Sequence, residues 1–293
     1  GHAGAAGVDL LRGDAQRVRL APRAAWRRSG AHLTTPMRKA LATELMLLTL
    51  VAAAAAAALP LDAGYWGWSW DGLNHHVYLG LIAESHRLDH DVVAASYQSY
   101  QYPYLYWPVY RLSLLEVPGA VAAAIWAAAQ AALLLPPLWL ISLHLLPARK
   151  LHWVGTAERG LACMLAFMST VVLVGLETTA NDLLAAVPLL WAFAVMAAEP
   201  ATDRRAAVAA ALWGVSAALK LSNSIFLPVL LWWWWCGPKR RMASLLRRGG
   251  WMSVSALLGF LVLYAPWGWQ LWRLTGNPVY PFLESLFRAA PGG

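Results

Sequence analysis

Asp71, Asn74, His75, His76 and Tyr78 lie in one short stretch, directly behind Trp66, Trp68 and Trp70. A strongly apolar segment, Ala40 to Pro60, ends just before them. Ionisable groups at membrane depth cost roughly 2.5–3.5 kcal/mol on insertion scales, so by default they mark function. A carboxylate such as Asp71 can take the proton from a hydroxyl that attacks an electrophilic carbon. The same residue types have plainer uses. Asp71 can cap a loop helix, and Asn74, His75 and His76 can tie the loop to neighbouring helices. A divalent metal on Asp71, His75, His76 and Asp182 is a third use. Adjacent histidines do not readily share a helical face, so the preferred reading has no metal and no cofactor.

Four further polar clusters interrupt the apolar sequence. The run Tyr97 to Pro108 interleaves Gln98 and Tyr100 with other aromatics and suits either a sugar or a helix lying in the interface. Glu177 to Asp182 and Lys220 to Asn223 each join two apolar segments. Arg273 to Asn277 follows the last of these segments, and the stretch Thr275 to Phe282 carries turn residues, Gly276, Pro278 and Pro281. Glu177 and Asp182 have a plain use as turn anchors. Lys220 has one too, its charged end reaching for the interface.

These clusters need elements to hold them, and the composition says which. The chain has 293 residues, 59% hydrophobic and only 13% charged; soluble domains usually carry about 25% charged residues. We therefore expect an all-α, polytopic transmembrane bundle of about seven spans with a large first extracytoplasmic loop containing short helices. The spans are expected at 40–60, 119–146, 160–176, 182–198, 206–220, 224–236 and 250–267. Most of the eighteen Trp suit interfacial belts. The two cysteines, Cys163 and Cys236, form no metal or disulfide pattern.

The net charge of +8 is distributed by side. Arg38–Lys39, Arg149–Lys150, Arg159, Arg204–Arg205, Lys239–Arg240–Arg241 and Arg247–Arg248 fall in segments that alternate with those holding most of the acids and the polar clusters. Excess Lys and Arg mark cytoplasmic loops. This pattern predicts a cytoplasmic N-terminus and an extracytoplasmic first loop, with a lipid bilayer and no nucleic acid as partner. Residues 1–36 read as a basic tail, disordered or non-native, and 37–293 as the transmembrane domain.

The series Trp68-Ser69-Trp70-Asp71-Gly72-Leu73-Asn74-His75-His76-Val77-Tyr78, just after a first span, resembles the opening of bacterial multi-pass glycosyltransferase-like proteins of the GT-C type. The likeness continues through Gln98-Ser99-Tyr100, Glu177-Thr178-Thr179 with Asn181-Asp182, Leu219 to Asn223, and Thr275 to Phe282. It implies transfer of a sugar from a polyprenyl-phosphate donor to a glycan, lipid or protein acceptor outside a bacterial inner membrane. In such enzymes an acid of the first outer loop is the base, and Asp71 stands at the matching position. Lys220 and Arg273 are expected at the donor phosphate. Asn74, His75, His76, Tyr78, Gln98, Tyr100, Glu177, Asp182, Asn223 and Asn277 are expected around the substrates. Many members have more spans, which points to a C-terminally shortened chain. The rival expectation is a non-catalytic scaffold, or a lipid or solute transporter, in envelope glycan assembly.

Overall fold

Small side chains set how closely the helices of this protein approach. A computed structural model describes residues 35–85, 87–91, 95–146, 153–198, 202–235 and 242–288. The expectation for the basic tail therefore lies almost wholly outside the described residues, as do the basic turns at 149–150 and 239–241. Contacts divide the chain into two units, Gly1–Ala40 and Leu41–Gly293. All features below belong to the second, apart from the first turns of α1.

Helix α1 covers Thr35–Ala63. A π-helical turn, Gly72–His76, runs into α2, Val77–Ser85, and is followed by a 3₁₀ turn, Ser96–Tyr100, and by α3, Trp107–Ser113. Helix α4 spans Gly119–Leu145 and continues through Pro136 and Pro137. Then come α5, Trp153–Phe167, α6, Thr170–Glu177, and α7, Asp182–Ala197. Helix α8, Asp203–Leu219, leads through a 3₁₀ turn, Leu221–Phe226, to α9, Leu227–Trp235. Helix α10, Met242–Thr275, and the short α11, Glu284–Arg288, complete the described chain. Among the described residues there is no strand, only an isolated parallel bridge between Gly67 and Thr178.

Three helices, α1, α4 and most of α10, are long and apolar enough to cross a membrane. The pair α5–α6 would make a fourth, but it bends by 68° at Met168–Ser169. The Ser169 side chain accepts from the Val172 backbone N–H at 3.4 Å, so the residue closes one helix and caps the next. Helices α7 and α8, of 16 and 17 residues, match the expected segments at 182–198 and 206–220 in place but are short for spans. At 1.5 Å per residue they reach about 24–26 Å, against a hydrocarbon core of about 30 Å.

Packing places the short helices over the ends of the long ones. Leu79 and Ile82 of α2 share a buried cluster with Tyr106, Ala218 of α8, and Tyr264, Trp267 and Leu271 of α10. Trp66 and Val109 pack on Ala122, Ala123 and Trp126 of α4. Helices α8 and α10 cross most closely. A Cβ at Gly214 would overlap the Ala256 carbonyl, and one at Gly259 would overlap that of Ala211. Small residues permit such backbone approach between membrane helices. Lower on α1, Glu44 forms a buried cluster with α4 and α5. Arg159, fully buried, donates twice to its carboxylate at 2.6 Å, and Trp139 donates at 2.8 Å.

Candidate functional site

The segment after α1 is fastened to the α6–α7 turn by its backbone. Gly67 N–H donates to the Glu177 carbonyl at 3.1 Å, and the next carbonyl, Thr178, accepts from Trp126 Nε1 at 3.1 Å. One residue further on, the Thr179 hydroxyl meets His76 Nδ1 at 2.7 Å. Three successive residues of the turn thus each hold a partner, and they bring Asp71 and His75 towards Asp182.

Asp71 precedes the π-helical turn, and its side chain makes no cap hydrogen bond there. Its carboxylate is exposed and lies 3.8 Å from His75 Nδ1. Both histidines are buried. They meet edge to face at 4.5 Å between ring centres, and His76 stacks on Tyr106 at 4.7 Å. Burial pushes the His75 imidazole below its ordinary value; the nearby Asp71 charge opposes this, while Lys220 adds to it. Burial, reinforced by the neighbouring His75, takes His76 down to about 4, so it is neutral at pH 7. The charges of Asp71, Lys220 and Asp182 all reach His76.

Lys220, the residue after α8, pairs directly with Asp182, the first residue of α7. The adjoining Asn181 occupies the position before α7 without capping it. Its side chain lies close to Tyr106, whose hydroxyl donates to Gln101 at 3.3 Å. Burial drives the Tyr106 hydroxyl upward, the Asp182 and Asp71 charges adding to the shift. Asn74 donates to the Gln98 side chain at 3.1 Å, joining the Asp71 turn to the 3₁₀ turn at Ser96–Tyr100.

Beside this cluster lies a cavity of about 560 Å³, lined by Gln98, Tyr100, Asn181, Lys220 and Tyr280 among others. An apolar groove of about 540 Å³ runs between α8, α9 and α10, lined by Trp213, Leu227, Met252 and Phe260 among others. A smaller cavity of about 420 Å³ is lined by Trp66, Trp68 and Glu177.

The sequence-predicted residues therefore divide. Asp71, His75, His76, Asp182 and Lys220 come together, with Asn74, Gln98 and Tyr100 along the cavity side. Tyr78 packs under this region, its hydroxyl pushed up to about 12 by burial and by the Asp91 carboxylate. Glu177 lines the separate Trp66–Trp68 cavity. Asn223 spends its amide on the Ser216 hydroxyl at 2.8 Å and the Ala185 carbonyl at 3.2 Å, locking the turn after α8. Asn277, buried, donates to the Phe282 carbonyl at 2.7 Å and accepts from Val279 N–H at 3.0 Å. It shapes the loop that carries Tyr280. Arg273 is exposed in the last turn of α10 and is not part of the cavity lining.

Tyr106, Thr179 and Asn181 were not among the expected site residues. Thr179 and Asn181 sit inside the polar turn that the sequence marks out, whereas Tyr106 is one tyrosine among several in its run. Among the described residues, no group of three or more His, Cys, Asp or Glu side chains is placed to hold a metal ion. Comparison with protein-family models, curated proteins and solved structures gives no match for this chain.

Proposed function

We propose that this chain is a membrane glycosyltransferase that moves a sugar from a polyprenyl-phosphate donor to an acceptor hydroxyl. The observation that carries the reading is an exposed carboxylate, Asp71, and the Lys220–Asp182 pair acting on the same buried His76, with Lys220 lining an aromatic cavity that carries amide groups. In this reading α7, α8 and α9 also lie in the bilayer and complete seven segments. The N-terminus is cytoplasmic, and the residues between α1 and α4 face outward from a bacterial inner membrane.

In the reaction the acceptor O–H gives its proton to Asp71 as its oxygen attacks the anomeric carbon. The bond from that carbon to the phosphate oxygen breaks, and its electron pair leaves with the lipid phosphate. Attack opposite to departure inverts the anomeric centre. Lys220 faces the charge that develops on the phosphate, and Arg273 stands at the membrane edge as a second cation. Asp182 holds Lys220 until the phosphate arrives. His75 and His76, whose imidazoles burial holds below their ordinary value, pack behind Asp71 and orient its turn.

The test is transfer from a panel of labelled polyprenyl-phosphate sugars, in membranes holding the wild type or Asp71→Asn. Loss of a general base lowers turnover by about 10²–10⁴-fold. Transfer undiminished in Asp71→Asn removes Asp71 as base and directs the search to Asp182 and Glu177. Absence of transfer from every donor by the inserted wild type defeats the enzyme reading.

A further inference from the structure

The cavity of about 560 Å³ contains a hydrogen-bond acceptor that the fold leaves open. Asn181 is 3% exposed and lines this cavity. Its position before α7 would ordinarily let it cap that helix, yet it makes no cap bond. The side chain lies close to the Tyr106 hydroxyl, but that hydroxyl donates to Gln101. Among the described residues Asn181 Oδ1 then has no partner. A buried acceptor without a donor is costly. A phosphate or carboxylate oxygen cannot relieve it, because both need donors themselves. A hydroxyl can.

The rest of the lining fits a molecule rich in hydroxyls with flat apolar faces. Tyr100 and Tyr280 meet at 86° with centres 4.7 Å apart, forming a corner of two aromatic faces. Tyr97 flanks Tyr280 at 6.5 Å. Gln98 and Gln101 add side-chain amides that both donate and accept. Lys220, the cation in the lining, is already answered by Asp182. The volume is within the range of about 300–1,000 Å³ that ligand sites occupy.

We propose that this cavity binds a neutral saccharide, with Asn181 Oδ1 accepting from one of its hydroxyls and the tyrosines packing on its ring faces. Its role as the acceptor glycan rests on the transferase reading above; its capacity to bind a saccharide does not. The cavity borders the turn that carries Asp71 on two sides: Gln98 is bonded to Asn74, and Thr179, two residues before Asn181, is bonded to His76. A glycan seated there presents one hydroxyl to the base and extends its chain towards Tyr97 and Tyr280. The apolar groove between α8, α9 and α10 is a separate space.

The experiment uses the full chain in lipid nanodiscs. Neutral trisaccharides of glucose, mannose, galactose and arabinose, with an acidic trisaccharide of galacturonate as control, are measured by saturation-transfer NMR and calorimetry. We expect at least one neutral trisaccharide to bind and the acidic one to bind more weakly. Asn181→Leu should weaken binding about 10–100-fold. Tyr97→Ala, at an exposed position (62%), should weaken it about 3–10-fold without disturbing the fold, and it decides alone where Asn181→Leu fails to insert. No neutral saccharide bound, tighter binding of the acidic one, or binding unchanged in the folded variants would overturn the proposal. Binding that responds to both variants with no transfer from any donor would sink the transferase reading and leave this one standing. Transfer whose saccharide KM is unmoved by either variant would do the reverse.

Discussion

Replacing Glu44 by Leu should destabilise the protein far more than replacing Glu44 and Arg159 together. Arg159 is fully buried and Glu44 nearly so, at 0% and 10% side-chain exposure. The carboxylate receives two charged hydrogen bonds of 2.6 Å from Arg159, one of 2.8 Å from Trp139 and one of 2.9 Å from Thr156. Interhelical hydrogen bonds in membrane proteins average only about 0.6 kcal/mol, so losing these contacts alone costs about 2 kcal/mol. Removing the carboxylate from a buried ion pair costs more, about 3–5 kcal/mol. The second effect dominates for Glu44→Leu, and it disappears in Glu44→Leu/Arg159→Met. Cys163, buried on α5 in a cluster with Trp139, provides the assay. In a Cys236→Ser background its modification by a maleimide dye reports opening of this region. The single variant should raise the opening constant about 10²–10⁴-fold, and the double variant by about thirtyfold or less. Equal rates for single and double variants would refute the reasoning, as would a silent Glu44→Leu, which would mean that Arg159 escapes to the interface.

Acid should destabilise the protein through His76. An unfolded chain protonates this imidazole near pH 6.5, whereas the folded one resists until about 4. Stability is therefore present above pH 6.5 and falls towards pH 4, by at most about 1.4 kcal/mol per unit; thermal unfolding of His76→Gln should show a flatter dependence there. Lys220→Met and Asp182→Asn, at 31% and 56% exposure, should each change stability by about 1 kcal/mol or less in a thermal melt. A loss of sugar transfer in either variant then reports on the site and not on folding. Gly214→Val forces a side chain against the Ala256 carbonyl and should cost about 1–3 kcal/mol, read as a lowered melting temperature; an unchanged melt would mean that the crossing is looser than described.

Apolar runs made the long helices readable, because nothing but a helix satisfies a membrane-length stretch of backbone in lipid. The break at Met168–Ser169 was harder to see, since Ser169 is unremarkable until its side chain caps the following helix. Glu44 was hidden inside the first apolar stretch, and its partner Arg159 lies 115 positions away. The site followed the same logic. Asp71, His75, His76, Asp182 and Lys220 drew notice because polar groups beside apolar segments are costly. Tyr106 and Thr179 did not, since a tyrosine or a threonine in a loop is ordinary until an imidazole stacks on one and bonds the other. Asn223 and Asn277 looked like ligand contacts, but each amide is turned back on the protein's own backbone. Sequence shows that an amide is present; only the fold shows where its hydrogen bonds go.

The α8–α10 crossing works as an index pin. Gly214 faces the Ala256 carbonyl and Gly259 faces that of Ala211. Sliding either helix by one residue would drive the side chain of Trp213, Val215, Leu258 or Phe260 towards a carbonyl that now sits against bare Cα. Neither lipid thickness nor side-chain repacking relieves such a clash, so the two rods hold a single register. That register sets Tyr264 and Trp267 opposite Ala218, and with them the wall against which the cavity is built.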